Sequence, residues 1–184
     1  MGTAPLLSRS VNRVLEVVLL NPGRAFFQRE LSRLTGEAYN GVRQALARLV
    51  REGVVERIAV GGRPAFRANT GNPYFGDLQR IVIRSLAIPE ALDQAGVTAL
   101  KVVVFGSFAK GVAEEGSDLD VLVVGREQRV GDAQRALGPI AGRIECQISV
   151  ALYDHARYRD EMERGAGFVY AVASGPTIDL RGSL

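Results

Sequence analysis

The 184-residue sequence has one cysteine, one histidine and no tryptophan. The lone Cys146 cannot form an internal disulfide. With one cysteine and one histidine, His155, metal sites built from several cysteines or several histidines are also excluded. No run of about 18 apolar residues is present, and the N-terminus lacks the charged-then-apolar pattern of a secretion signal. Hydrophobic residues make up 47% of the chain, which is enough for a folded core. The absences predict a soluble cytoplasmic protein that does not associate with membranes.

Lysine is also scarce, because arginine supplies 21 of the 23 basic residues. Positions 1–73 hold 11 arginines and 5 acidic residues, so their net charge is +6. Positions 74–184 hold 12 basic and 15 acidic residues, so their net charge is −3. A basic segment followed by a mildly acidic one predicts two modules with different partners. The alternative is that the arginines are scattered over a solvated surface.

The first module, residues 1–73, has the pattern of three helices followed by a β-hairpin. Apolar residues recur three and four positions apart in the helical segments, and Gly36 and Gly53 follow the second and third of them. Gly61-Gly62 separates two strand-like segments. The predicted elements are helices over 11–19, 28–34 and 37–52 and strands over 54–60 and 65–67.

This order of elements resembles a winged helix-turn-helix domain over residues 8–70, which implies double-stranded DNA as a partner. Arg can pair with guanine and Asn or Gln with adenine, so polar residues on the third helix would read base edges. Arg63, beside the glycines of the wing, would reach a phosphate or a minor groove. The alternative is a protein-binding winged helix with a merely solvated polar face. The candidate DNA contacts are Asn40, Arg43, Gln44, Arg48, Arg51 and Arg63.

The segment Asn69–Pro73 is rich in turn-forming residues and marks the end of the first module. Residues 74–97 are predicted to connect the two modules. They include a predicted helix over 76–87, and its apolar face would carry Leu78, Ile81, Val82 and Leu86. Helix-turn-helix proteins commonly bind DNA as dimers, so this helix is the candidate dimer element of a homodimer.

The second module, residues 98–184, alternates strands and helices. This alternation predicts an α/β (α+β) domain with a small mixed sheet flanked by helices. The predicted strands cover 101–105, 119–124, 144–153 and 177–180. The predicted helices cover 132–140, 154–163 and 167–173, and a further helix over 89–94 precedes the first strand.

Two short motifs in this module combine phosphate and metal chemistry. Gly106-Ser107 follows the first apolar strand. Gly106 has no side chain and lets the backbone approach a phosphate, and the Ser107 hydroxyl can donate a hydrogen bond to that phosphate. Asp118 and Asp120 are two positions apart at the start of the next strand, so both carboxylates lie on one face. Paired carboxylates repel each other, and Mg²⁺ bridging to a triphosphate relieves that repulsion.

Gly106-Ser107, a glycine four residues later, and Ser117-Asp118-Leu119-Asp120 resemble the signature of the DNA polymerase β-type nucleotidyltransferases. The similarity is closest to the small, stand-alone minimal branch and covers about residues 98–153. It implies transfer of a nucleoside monophosphate from a triphosphate to a hydroxyl. It also implies that the two aspartates hold two Mg²⁺ ions and that Gly106 and Ser107 hold the β- and γ-phosphates. Lys110 and Ser117 are further candidate contacts with the nucleotide, for which ATP is the first choice.

The same resemblance implies a third carboxylate on a later strand, which helps to activate the attacking hydroxyl. In the predicted strand 144–153, Glu145, Gln147 and Ser149 alternate onto one face. Alignment on Tyr153 puts Ser149, or else Gln147, where active members have an acid. Glu145 is the one carboxylate on that face and is the candidate third catalytic acid, although it lies about 13 Å along the strand from Ser149.

The tail resembles one arrangement of that branch, in which a winged helix precedes the nucleotidyltransferase domain. Its markers are a Tyr, a Phe and a Gly-Pro-x-Ile-x-Leu segment, which are here Tyr153, Phe168 and residues 175–180. Proteins of this arrangement are described as transcriptional regulators. We therefore expect a DNA-binding regulator whose second domain binds a nucleoside triphosphate with Mg²⁺. The alternative is an active nucleotidyltransferase that modifies a protein, a small molecule or a nucleic acid, including an antitoxin that modifies a toxin.

Overall fold

The computed structural model describes residues 8–125 and 129–182, and the chain divides into two compact units. The first unit runs up to Leu86 and also includes Glu114–Gly116 and Gly142–Cys146. The second unit comprises Ala87–Ala113, Ser117–Ala141 and the residues from Gln147 onward. The division between Leu86 and Ala87 falls inside the predicted connecting segment 74–97.

The first unit contains three helices, a β-hairpin and a fourth helix, and the predicted order of elements is confirmed. The hairpin turns at Gly61 and Gly62, whose φ angles of +57° and +75° are left-handed. Phe26 forms an isolated antiparallel bridge with Phe66, so a short extended segment before the second helix joins the hairpin. The elements are α1 (Arg9–Leu19), α2 (Gln28–Thr35), α3 (Tyr39–Arg51), β1 (Val55–Val60), β2 (Arg63–Ala68) and α4 (Phe75–Ser85).

The buried face of α4 differs from the predicted one. Gln79, Val82, Ile83 and Leu86 are buried, at helical spacing, whereas Ile81 is 47% exposed. The sequence predicts the reverse, because Ile81 is apolar and Gln79 is polar. The Gln79 amide donates a hydrogen bond to the carbonyl of Leu19 over 2.9 Å, and this bond compensates the burial of the polar group.

The segment Gly142–Cys146 packs within the first unit through polar contacts. The buried Glu16 carboxylate accepts from Arg13 over 2.8 Å and from Arg143 over 3.2 Å. Burial lowers the pKa of the Arg143 guanidinium, and the charge of Glu16 opposes that shift. The Asn21 amide donates to the carbonyl of Ile144 over 2.7 Å. These bonds satisfy groups that would be costly to bury alone.

The second unit has a mixed four-stranded sheet flanked by helices, which confirms the predicted fold class. Its strand order is β5-β4-β3-β6. The pair β4–β5 is parallel, and β3 pairs antiparallel with both β4 and β6. The elements are α5 (Ile88–Gln94), β3 (Ala99–Phe105), α6 (Gly106–Lys110), β4 (Leu119–Gly125), α7 (Val130–Ile144), β5 (Ile148–Asp154), α8 (His155–Arg164), α9 (Phe168–Ala173) and β6 (Ile178–Arg181). The last three residues of α7 belong to the first unit.

The two central strands are apolar along almost their whole length because both of their faces are covered. One face packs Val103 and Leu122 against Tyr158 of α8 and Val169 of α9. The residues between them in sequence point to the opposite face and are equally buried, as at Val102, Val104, Val121 and Val123. The core thereby fixes the register of β3 and β4, and with it the positions of the polar residues at their ends.

The predicted strand over 144–153 is wrong at its start, because α7 continues to Ile144 and β5 begins at Ile148. Alternating apolar residues at 144, 146 and 148 suggested a strand. Leu137, Ile140 and Ile144 are buried at helical spacing, and this longer apolar pattern extends the helix to Ile144. Among the described helices, none is long and apolar enough to cross a membrane.

Candidate functional site

Gly106 lies against the carboxylate of Asp120. Phe105 ends β3 directly beside Asp120 in the antiparallel register, and the chain then turns at Gly106 with a φ of +75°. A Cβ atom at residue 106 would lie 2.2 Å from Oδ2 of Asp120. Residue 106 therefore has to be glycine both for its backbone conformation and for the close approach of the carboxylate.

The two aspartates interact electrostatically. Asp120 is the second residue of β4, and Asp118 immediately precedes the strand. Burial raises the pKa of the Asp120 carboxyl above its ordinary value of 3.8, and the negative charge of Asp118 raises it further. A cation between the two carboxylates would remove this repulsion, and hard oxygen donors of this kind suit Mg²⁺. The residues present therefore fit the metal that the sequence predicts.

Ser149 occupies the position beside the aspartates on the third strand of the site. Its Cα pairs with that of Asp120 in the parallel register of β4 and β5. The Ser149 hydroxyl donates to Oδ2 of Asp118 over 3.3 Å. Within the described ranges no group of three or more His, Cys, Asp or Glu residues could hold a metal ion. Among the described residues, the site contains the carboxylates of Asp118 and Asp120, with the Ser149 hydroxyl next to them.

Glu145, the candidate third acid, does not lie on β5. It follows α7 with a φ of +54°, belongs to the first unit and forms an ion pair with Arg24 over 3.2 Å. The expectation that it shares a strand face with Ser149 fails because the strand begins three residues later. Gln147 also precedes β5, and its carbonyl accepts from the amide of Leu119 over 2.8 Å.

The other predicted nucleotide contacts lie in the same unit as the aspartates. Ser107 is half-buried in α6, directly after Gly106, and Ser117 is half-buried directly before Asp118. Lys110 is exposed at the end of α6. Their contacts with a nucleotide stay a prediction, whereas chain connectivity puts both serines next to the residues that form the site.

An aromatic cluster lies on the sheet face that carries Asp120. The Phe168 ring stands edge-on to Phe105 with centroids 5.6 Å apart, and it stacks on Tyr153 at 5.7 Å. The guanidinium of Arg157 covers the Tyr153 ring at 4.6 Å from its centroid. Strand alternation brings Phe105, Asp120 and Tyr153 onto one face. Tyr153 and Phe168 are markers of the tail in the sequence, but their mutual contact depends on the tertiary structure and is not predictable from the sequence.

Replacing Asp120 by Asn should stabilise the nucleotide-free protein at pH 7. A carboxyl with a raised pKa in the folded state stabilises the fold most when protonated, and that stability is lost as the pH rises through the raised pKa. Asn stays neutral, so we expect the melting temperature to rise by about 1–3 °C at pH 7. The gain should shrink as the pH falls toward 3.8. Thermal melts of both proteins between pH 7 and pH 4 measure it, and an equal gain at every pH would exclude the charge as its cause.

The predicted DNA contacts of the first unit lie on α3 and at the start of β2. Asn40, Arg43, Gln44, Arg48 and Arg51 are all exposed. Arg48 forms an ion pair with Glu52 over 2.8 Å, one helical turn along. The guanidinium of Arg63 lies over the Phe27 ring, 4.6 Å from its centroid. The exposed face of α3 is thus polar and basic, as the sequence predicts.

Residues 87–172 match the family model of the nucleotidyltransferase domain. The matched range includes Gly106, Asp118, Asp120 and Ser149. A candidate nucleotidyltransferase from Sulfolobus solfataricus, solved at 1.40 Å resolution, is 23% identical over 48% of this chain and 78% of that one, with a TM-score of 0.30. A TM-score this low does not establish a shared fold. No curated protein matches the chain.

Proposed function

We propose that the second unit binds a nucleoside triphosphate together with Mg²⁺, with ATP as the first choice, at the site formed by Gly106, Asp118 and Asp120. The observation that carries the proposal is the contact between the Asp120 carboxylate and Gly106. Asp118 and Asp120 thereby lie next to a glycine turn, a kind of backbone that can approach a phosphate. The family match over residues 87–172 supports nucleotide chemistry in this unit.

Each residue has a role that follows from its chemistry. Asp118 and Asp120 supply the oxygen ligands that Mg²⁺ prefers. When bound, Mg²⁺ would neutralise the triphosphate and favour deprotonation of an attacking hydroxyl. Gly106 leaves room for the Asp120 carboxylate beside the backbone. The hydroxyls of Ser107 and Ser117 can donate hydrogen bonds to the polyphosphate. Lys110 would add a positive charge at the edge of the site.

The presence of Ser149 in place of an acid is compatible with nucleotide binding but unfavourable for nucleotidyl transfer. A neutral hydroxyl does not accept a proton at neutral pH as a carboxylate does. We therefore expect the unit to bind its nucleotide and to transfer it slowly or not at all, as a regulatory domain would. The second candidate is an active nucleotidyltransferase that modifies a protein, a small molecule or a nucleic acid. The family match favours this candidate.

Incubation with triphosphates labelled on the α-phosphate, Mg²⁺ and cell lysate tests the two candidates. We expect no labelled product from the natural protein with any of the four nucleotides. Replacing Ser149 by Asp should give labelled product at a rate at least about 100-fold above the detection limit for the natural protein, in line with the contribution of a general base. Ser149→Asn is the matched control, because asparagine has nearly the same shape as aspartate but no basic carboxylate oxygen.

Transfer by the natural protein, lost on replacing both aspartates, would favour the active enzyme. An equal gain from Ser149→Asn would exclude base catalysis as the reason for the effect of Ser149→Asp.

We further propose that the first unit is a winged helix-turn-helix domain that binds double-stranded DNA. The supporting observation is its three helices and hairpin, with a polar, basic and exposed face on α3. Arg43 and Arg51 would contact phosphates or guanine edges, and Asn40 and Gln44 adenine edges. The homodimer through α4 stays a prediction, with the exposed Ile81 as one candidate contact.

Arg51→Ala should weaken binding to a DNA duplex and flatten its salt dependence. Each lost arginine–phosphate contact removes about one released counterion from the slope of log K against log salt. Arg84→Ala is the matched control, because Arg84 is exposed on α4 of the same unit. Fluorescence anisotropy with a labelled duplex at several salt concentrations measures both. Binding that does not depend on salt would contradict the proposal.

A further inference from the structure

A cleft of about 460 Å³ lies within the first unit, between α2, α3 and the β-hairpin. We call it the arginine cleft. Its volume falls in the range of sites that hold small organic ligands. Its apolar lining comes from Phe27, directly before α2, from α3 and from β2. The larger apolar side chains are Phe27, Leu46, Val50, Pro64 and Phe66. A ligand in the cleft would therefore contact an apolar surface.

Four arginines also line the cleft, namely Arg29, Arg43, Arg57 and Arg63, and no acidic residue does. Across the residues that the structure describes, none of the four forms an ion pair with a carboxylate. Other arginines of the unit do have such partners. Arg9 pairs with Glu37, Arg48 with Glu52 and Arg67 with Glu56. Arg33, Arg51 and Arg84 of the same unit also form no described ion pair, but they are not part of the lining. Four of the arginines without a carboxylate partner thus line one concavity.

This combination of charge and shape specifies the chemistry of a ligand. Four like charges around a concave surface repel one another, and an anion between them relieves that repulsion. Guanidinium groups bind carboxylates, sulfonates and phosphates with paired hydrogen bonds. An inorganic anion would leave the apolar lining in water, whereas an anion with an aromatic or alkyl body would cover it. The Phe27 ring, already under the guanidinium of Arg63, offers a surface for stacking.

We propose that the arginine cleft binds an organic anion with an apolar body, such as an aromatic or alkyl carboxylate, sulfonate or phosphate ester. Arg43 and Arg63 also belong to the proposed DNA surface. A ligand in the cleft therefore competes with DNA, and this second part rests on the proposed DNA binding. The cleft is then the effector site of the regulator and is separate in chemistry from the nucleotide site of the second unit.

The binding part is tested by titrating the full-length protein with 8-anilinonaphthalene-1-sulfonate, an aromatic sulfonate whose fluorescence rises on binding. We expect saturable binding that weakens at least 10-fold in Arg57→Gln and in Ala47→Trp, which fills the cleft from an exposed lining position. Arg84→Gln is the matched control and should bind as the natural protein does. Circular dichroism and thermal melts verify that each variant is folded.

Equal affinity of the natural protein, Arg57→Gln and Ala47→Trp would overturn the proposal, because the dye would then bind elsewhere. Inorganic phosphate should displace the dye only at concentrations far above those of the dye. Displacement at equal concentrations would show that the apolar lining contributes nothing and would overturn the proposed ligand class.

The competition part is tested by adding the dye to a complex of the protein with a labelled DNA duplex at low salt. Release of DNA by the dye from the natural protein, but not from Arg57→Gln, is the expected result, because Arg57 lies outside the proposed DNA contacts. Dye binding without release of DNA would contradict the proposed competition, while the proposed anion site in the arginine cleft would stand. If no duplex binds, the proposed DNA binding fails, while the dye titration still decides the arginine cleft.

Discussion

Replacing Asp118 and Asp120 together by Asn should abolish Mg²⁺-dependent nucleotide binding, with a loss of affinity of at least about 100-fold. Changes to groups that merely support a metal ligand cost 10- to 100-fold, so the loss of two ligands has to cost more. Neutral amides also remove the charge that balances the cation. Isothermal titration with a non-hydrolysable ATP analogue, with and without Mg²⁺, measures the effect.

The double variant Asp132→Asn/Asp179→Asn is the matched control. It removes the same charge from the second unit, at the half-buried Asp132 on α7, which pairs with Arg135, and at the exposed Asp179 on β6. It should bind the nucleotide normally. Both double variants should bind DNA like the natural protein. If the Asp118/Asp120 variant kept its Mg²⁺-dependent affinity, the site would be in the wrong place. If the control lost as much, the effect would come from net charge alone.

Gly106→Ala should abolish nucleotide binding, whereas Gly111→Ala should only destabilise the protein. The two glycines flank α6 and have nearly equal φ angles of +75° and +73°. Alanine in this left-handed conformation costs about 1–2 kcal/mol at either position. The positions differ in their surroundings. A Cβ atom at 106 would lie 2.2 Å from Oδ2 of Asp120, whereas one at 111 would meet no atom within 4 Å.

The pair therefore separates backbone strain from displacement of the carboxylate. Thermal melts should show similar strain in both variants, with a further loss in Gly106→Ala, and titration should show nucleotide binding in Gly111→Ala alone. Normal nucleotide binding by Gly106→Ala would mean that the Asp120 carboxylate can move without consequence. Loss of binding in both would assign the effect to the conformation of α6.

The sequence predicts most elements correctly because each has a local signal. Helical spacing of apolar residues marks α1 to α3, and Gly36 and Gly53 mark two of their ends. Errors arise where burial is decided by tertiary contacts. Gln79 is buried because the carbonyl of Leu19 accepts its hydrogen bond, and no local pattern indicates that. Residues 144–147 leave the predicted strand because Ile144 is buried as the last residue of a helix.

The candidate site is predictable to the extent that it is local. Gly106, Asp118 and Asp120 lie within one strand–turn–strand segment, so their spacing brings them together. Ser149 depends on the register between β4 and β5, which the sequence leaves open between positions 147 and 149. The arginine cleft could not be predicted, because it depends on which arginines lack a carboxylate partner. Sequence alone does not distinguish Arg57 from Arg67, which pairs with Glu56.

The most direct test of the nucleotide site is a crystal structure with Mn²⁺ in place of Mg²⁺ and a non-hydrolysable triphosphate, collected at a wavelength where manganese scatters anomalously. The expected anomalous peak lies between the carboxylates of Asp118 and Asp120, with phosphate oxygens at the backbone of Gly106 and Ser107. A peak bound by other residues, or triphosphate bound away from this turn, would contradict the assignment.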